Sequence, residues 1–115
     1  MTRVKVCGIT SREDAVAAVE AGADALGFVF VPGTPRCVHP EVAERIVGVL
    51  PPFVTPVGVF MNQPLEEVLR IAARCGLQAV QLHGDEPEAY SRRIPLRVRP
   101  GAAGDGGHSD RIGGI

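Results

Sequence analysis

At 115 residues the chain has room for one small domain with a single core, and an apolar content of 45% excludes a disordered composition. A formal net charge of -1 gives no basic field for nucleic acid and no attraction to an anionic membrane, and the longest apolar stretches are strand-sized. No charged-then-apolar leader opens the chain, and three cysteines with no Cys-x-x-Cys pair read as thiols of a cytoplasmic protein.

The hydrophobic period switches repeatedly between two and 3.6. Residues 3–6 form a first strand, which delivers Cys7 to a glycine turn at Gly8. Thr10-Ser11-Arg12-Glu13 is a capping-box pattern that predicts a helix starting at Thr10. Ala15, Val16, Ala18 and Val19 form its apolar stripe, and Gly22 suits the position just past its end. Residues 24–30 (DALGFVF) are apolar on both faces, the mark of a buried parallel strand.

A Pro-Gly-Thr-Pro loop follows, and Pro40 opens a second helix with Ala43, Ile46, Val47 and Leu50 at helical spacing. Residues 54–60 are the third strand, and Asn62 is the expected cap of a third helix buried through Leu65, Val68, Leu69 and Ala72. Gly76 ends that helix. Residues 78–83 (QAVQLH) are the fourth strand, 86–93 a short helix, and 96–98 the start of a fifth strand.

The order β-α-β-α-β-α-β-α-β predicts a parallel sheet with right-handed crossovers. Gly22-Ala23-Asp24-Ala25 and Gly76-Leu77-Gln78-Ala79 look like a faint internal repeat, or simply the taste of helix-to-strand loops for glycine. Beyond residue 100 the chain is glycine-rich and loses both periods, so 100–115 reads as a disordered or non-native tail after a folded unit of 1–99. The abruptness of that loss points to a frame change or an artificial truncation.

Ligands of parallel α/β proteins bind at the C-terminal ends of the strands. Cys7 sits at such an end, where it is either a reactive thiol or a small buried hydrophobe. Alternation puts Lys5 on the same face, one layer deeper, where a cation needs a carboxylate partner and where it would help a neighbouring thiolate form. Arg36 lies in the loop after the second strand, either solvated or ready to clamp a carboxylate in bidentate fashion. Gln81 and His83 share one face of the fourth strand; a glutamine inside an apolar strand needs a partner or a ligand, and the histidine is either a satisfied core residue or a ligand contact. Cys37 and Cys75 read as structural, and no spacing among the cysteines and histidines supports a zinc site.

Five motifs in register resemble the phosphoribosylanthranilate isomerase family of tryptophan biosynthesis. They are Lys5-Val6-Cys7-Gly8-Ile9-Thr10; Gly22 through Phe30; Thr34-Pro35-Arg36-Cys37-Val38-His39-Pro40; Val57 through Phe60; and Val80 through Glu86. The resemblance covers about residues 3–98 and implies a (β/α)8 barrel of TIM type, present here as the first four βα units and the start of strand five. It implies an aldose–ketose isomerase that works without a cofactor or metal: an Amadori rearrangement of a phosphoribosyl anthranilate. In that reading a general acid opens the sugar ring to a Schiff base, and a general base removes the proton from the adjacent carbon. The resemblance assigns Cys7 as that base, Arg36 to the anthranilate carboxylate, and Gln81 and His83 to substrate contact.

The family's general acid is an aspartate ending a sixth strand, and its phosphate site follows strands seven and eight; neither is read within residues 1–115, and Asp105 and Asp110 match no motif. A half-barrel of this kind is expected to leave strands one and five as open edges prone to self-association, and to show little activity alone. Two other readings compete: a related phosphosugar-using barrel, against which Cys7-Gly8 and Arg36 argue, and a half-barrel that binds or assembles without catalysing.

Overall fold

A computed structural model describes residues 3–100 and 110–111. Five parallel strands alternate with four helices: β1 (Val4–Cys7), α1 (Arg12–Glu20), β2 (Ala25–Val29), α2 (Pro40–Val47), β3 (Thr55–Phe60), α3 (Leu65–Cys75), β4 (Ala79–Leu82), α4 (Glu88–Arg92) and β5 (Arg97–Pro100). A two-residue strand, β6 (Asp110–Arg111), completes a sheet of order β5-β4-β3-β2-β1-β6. Sequential strands are spatial neighbours and all five pair in parallel, which is the first half of a barrel wall.

The register sorts the strand residues into two faces. Leu26 and Phe28 of β2, Phe60 of β3, and Val80 and Leu82 of β4 point to the helices and join Ala15, Ala18, Ala43, Ile46, Val68, Ile71 and Ala72 in the main core. Phe28, Phe60, Leu26, Val68 and Val80 are its largest fully buried side chains. The rings of Phe30 and Phe60 stack with centroids 5.2 Å apart. The opposite, inward face carries small residues, Ala25, Val57 and Ala79, which form a separate buried cluster.

Several local expectations need correction. Ser11, not Thr10, caps α1: its Oγ accepts the Asp14 N–H, while Asp14 Oδ2 accepts from the Thr10 hydroxyl. The capping logic holds one residue later because Asp14, rather than Glu13, is the acid that reaches back. Val16 is 48% exposed, since α1 meets the sheet through Ala15 and Ala18 and Val16 is about 100° round the helix from Ala15. Asn62 does not cap α3, which begins after Pro64; it takes a left-handed backbone (φ 55°) and uses its side chain elsewhere. Gly22 and Gly76 both adopt positive φ after a helix, so the repeat of their motifs needs no more than the demands of a helix-to-strand turn.

The expectation of an open edge at strand one is also corrected. β6 pairs antiparallel with β1, setting Arg111 opposite Val4 and Asp110 opposite Lys5. This strand was not foreseen in the glycine-rich tail, the rest of which lies outside the described residues. β5 is the terminal strand on the other side.

One core thiol makes the fold sensitive to alkali. Cys75, at the end of α3, is buried and donates its S–H to the Pro40 carbonyl at 3.3 Å. Burial, then the nearby Glu44 carboxylate, pushes its pKa above the ordinary 9.0, so the unfolded chain ionises first. The stability held by the neutral thiol is therefore full below pH 9 and is lost as pH rises above it. Urea denaturation from pH 7 to 10.5 is expected to show a fall in midpoint above pH 9 that Cys75→Ala flattens; equal slopes in both proteins would contradict this.

Candidate active site

The candidate residues gather at the C-terminal ends of β1, β2 and β4. Cys7 is the last residue of β1 and is half-buried on the inward face. Its register partner is Gly27, and a Cβ at that position would sit 2.8 Å from Cys7 Sγ. Glycine in the middle of an apolar strand normally weakens it; here the missing side chain is the space the thiol occupies. The chain then turns at Gly8, with φ 87°, and the N–H groups of Gly8 and Ile9 both donate to the Gly27 carbonyl at 3.0 and 3.1 Å. The turn is thus fixed to the neighbouring strand.

Arg36 reaches back from the β2–α2 loop over this turn. Its Nη1 donates to the Gly8 carbonyl at 3.3 Å, and its Cδ lies where a Gly8 side chain would be, 2.5 Å from an ideal Cβ. A guanidinium has five N–H donors, so this single bond orients the plane and leaves donors for a planar anion. Two independent demands, positive φ and the seat of Arg36, therefore meet at Gly8. Gly8→Ala is expected to destabilise the chain by about 1–3 kcal/mol and to displace Arg36; an unchanged denaturation midpoint would count against both.

Gln81 lies deeper, on the inward face of β4, and its Oε1 accepts from Lys5 Nζ on β1. β1 and β4 are three inter-strand steps apart, so this contact spans the concave face over Ala25 and Val57. The sequence reading placed Lys5 correctly on the inward face but expected a carboxylate there; the observed partner is an amide oxygen. His83 follows β4, its backbone N–H donating to the Phe60 carbonyl at 2.9 Å. It shares the end of the sheet with the other candidates and makes no hydrogen bond to Arg36 or Gln81 among the described residues.

The mouth has a support that the sequence reading missed. Glu86 accepts from the backbone N–H of Asn62 at 2.6 Å and of Gly84 at 3.0 Å, while Asn62 Oδ1 accepts from the Asp85 N–H at 2.9 Å. Gln63 bridges further: its Oε1 accepts from the Met61 N–H at 2.7 Å and its Nε2 donates to the Phe30 carbonyl at 2.8 Å. Tyr90 donates its hydroxyl to the Gln63 carbonyl at 2.7 Å; burial, then Glu86 and Glu67, raise its pKa, which keeps it a donor. The loops after β2, β3 and β4 are thereby tied into one rim around the inward face. The available signals were Asn62 just after β3, since asparagine both tolerates the left-handed region and offers an acceptor, and the Gly84-Asp85-Glu86 run just after β4. Glu86→Ala removes two charge-assisted bonds and is expected to cost about 1–3 kcal/mol, read as a lower urea midpoint.

Cys37 is exposed beside Arg36, and His39 caps α2 by accepting the Glu41 N–H at Nδ1. Among the described residues no three histidine, cysteine or acidic side chains come together as metal ligands, and no helix is long and apolar enough to cross a membrane.

Comparison with known proteins agrees with this geometry. Residues 4–103 match the model of the N-(5'-phosphoribosyl)anthranilate (PRA) isomerase family. The chain is 58% identical over 98 residues to the N-(5'-phosphoribosyl)anthranilate isomerase of Geobacter metallireducens, covering 85% of this chain and 48% of that protein. The relative from Geobacter sulfurreducens is 57% identical over the same share of each. The crystal structure of phosphoribosyl anthranilate isomerase from Thermotoga maritima superposes with a TM-score of 0.85 at 52% identity, over 87% of this chain and 50% of that one. A further crystal structure of a phosphoribosyl anthranilate isomerase, with TM-score 0.85, is a complex with reduced 1-(o-carboxyphenylamino)-1-deoxyribulose 5-phosphate. The chain thus spans about half the length of the relatives it matches. With a matching family model, identities above half, and the same half-barrel, the chain belongs to the N-(5'-phosphoribosyl)anthranilate isomerase family.

Proposed function

We propose that this chain supplies the N-terminal half of a phosphoribosylanthranilate isomerase site, with Cys7 as general base and Arg36, Gln81 and His83 as substrate contacts. The observation that carries the reading is the pairing of Cys7 with a strand glycine that makes room for its thiol, under an arginine seated on the very next carbonyl. The substrate has an aromatic carboxylate at one end and a phosphate at the other. Arg36 takes the carboxylate in bidentate fashion and thereby holds the amino-sugar carbon over Cys7. Once the ring oxygen is protonated and the sugar opens to the Schiff base, the Cys7 thiolate takes the proton from the neighbouring carbon. The enolamine so formed tautomerises to the aminoketose, with no net change in electrons. Gln81 donates through its Nε2, because its Oε1 is engaged by Lys5. His83, at the rim, contacts the sugar hydroxyls.

The general acid and the phosphate cradle belong to the half of the family barrel that this chain does not match. The 115-residue chain alone is therefore expected to turn over little, and to gain activity when the unmatched half of the barrel is supplied separately. The test is to mix the purified chain with the C-terminal half of the Geobacter metallireducens relative and follow loss of phosphoribosylanthranilate fluorescence. Turnover that requires both halves supports the reading; a stable complex with no turnover opposes it. A second reading, self-association through the terminal strand β5, is favoured by its position at the end of the sheet. Sedimentation of the chain alone decides it: a dimer that dissolves when the C-terminal half is added is the expected result. A cytoplasmic setting belongs to the same proposal, supported by thiols at Cys37 and Cys75 rather than a disulfide.

A further inference from the structure

The inward face holds a cation that the chemistry above does not use. Lys5 is 4% exposed, the one polar or charged side chain among the buried described residues. It precedes Cys7 by two positions on one strand, so both project to the same face with Cα atoms about 7 Å apart. Its amine is tethered at the far side of the concave face by Gln81 Oε1. That tether satisfies an N–H without neutralising the charge, and it keeps the side chain from extending to solvent. The floor around it is apolar, formed by Ala25, Val57 and Ala79, which weakens dielectric screening.

We propose that Lys5 is a positioning residue for Cys7: held on the inward face by Gln81, its ammonium favours the Cys7 thiolate and sets how much of the base is present at neutral pH. The proposal rests on the reading of Cys7 as the base and adds what makes it one. An ordinary thiol is mostly protonated at pH 7; a nearby cation lowers its pKa. The titratable and charged residues on the surrounding elements are Arg36 from the β2–α2 loop, His83 beyond β4, Arg97 and, at the register position of Gln81, Arg99 on β5, and Asp110 at the register position of Lys5 on β6. No inward position of β1 to β4 is an aspartate or glutamate among the described residues. Of the cations near Cys7, Lys5 is the one on its own strand, buried and held by Gln81, whereas Arg36 is held by the Gly8 carbonyl at the turn.

Alkylation with iodoacetamide as a function of pH, read cysteine by cysteine, tests this on the full chain without substrate. Tryptic cleavage separates the thiols into peptides 6–12 (4–12 where Lys5 is replaced by Met or Gln), 37–45 and 75–92, so exposed Cys37 is an internal standard and buried Cys75 reports the fold. In Lys5→Met the Cys7 profile is expected to move up by about one pH unit, a tenfold loss of reactivity at neutral pH. Lys5→Arg is expected to restore it. Lys5→Gln, which keeps a donor to Gln81 but no charge, is expected to behave like Lys5→Met, and it decides the matter if Lys5→Met exposes Cys75 by unfolding. A Cys7 profile unchanged in both neutral variants overturns the proposal. Because labelling needs no substrate, a shifted profile in a chain that never supports turnover counts against the isomerase reading alone. An unshifted profile in a chain that does support turnover counts against Lys5 alone.

Discussion

Replacing Cys7 with serine, in the chain paired with a C-terminal half, is expected to lower kcat by about 10²–10⁴-fold with little change in KM. A serine hydroxyl keeps the shape of the site and fits the space left by Gly27, but it does not ionise near neutral pH, so the loss isolates proton abstraction. Arg36→Lys is the contrasting substitution. A lysine keeps the charge but loses the planar fork and the Gly8 anchor, so it is expected to raise KM about ten- to a hundredfold, as loss of a charge-assisted bidentate pair does. Steady-state kinetics of both variants check the division of labour. A serine variant with unimpaired kcat would remove Cys7 from the chemistry.

The largest effect on stability is expected at Phe28. Its ring is fully buried and faces the helices from β2, a strand that lies between β1 and β3. Phe28→Ala is expected to cost about 3–5 kcal/mol, most of the stability of a domain this small. Guanidinium denaturation should show the midpoint falling by more than half, or no cooperative transition. By contrast Phe53, which is 91% exposed, should tolerate alanine with almost no change. Equal losses at the two positions would mean that the helix-facing side of the sheet is not the core.

The alternation of elements and the two-sided apolar strands were legible because burial in a parallel sheet leaves a direct mark on composition, as in residues 25–29. Helix stripes were sharpest where large residues carry the contact, as at Val68 of α3 with Leu65 and Leu69 packed beside it, and broader than the buried face where alanines do, as in α1, where the stripe included Val16 but only Ala15 and Ala18 of it are buried. Cys7 and Arg36 were found from their motifs, but the reason for the seat of each is a glycine, and a missing side chain carries no chemical signal of its own. The contact of Lys5 with Gln81 joins residues far apart in sequence across two intervening strands, and only the curvature of the sheet brings them together. The rim built by Asn62, Gln63, Glu86 and Tyr90 was missed for a similar reason: each residue suits a loop, and their convergence is a property of the barrel mouth. The pairing of Asp110–Arg111 with β1 could not be read from a segment without hydrophobic period.

The central claim is that the mouth above Cys7 and Arg36 is where an anthranilate phosphosugar sits. The direct measurement is a crystal structure of the chain paired with a C-terminal half and soaked with reduced 1-(o-carboxyphenylamino)-1-deoxyribulose 5-phosphate. The expected result is the ligand carboxylate against the Arg36 guanidinium, with Cys7 Sγ within about 3–4 Å of the sugar carbon next to the amine, the reach that proton transfer needs. A ligand bound with its carboxylate away from Arg36, or with Cys7 out of reach of that carbon, would contradict the account.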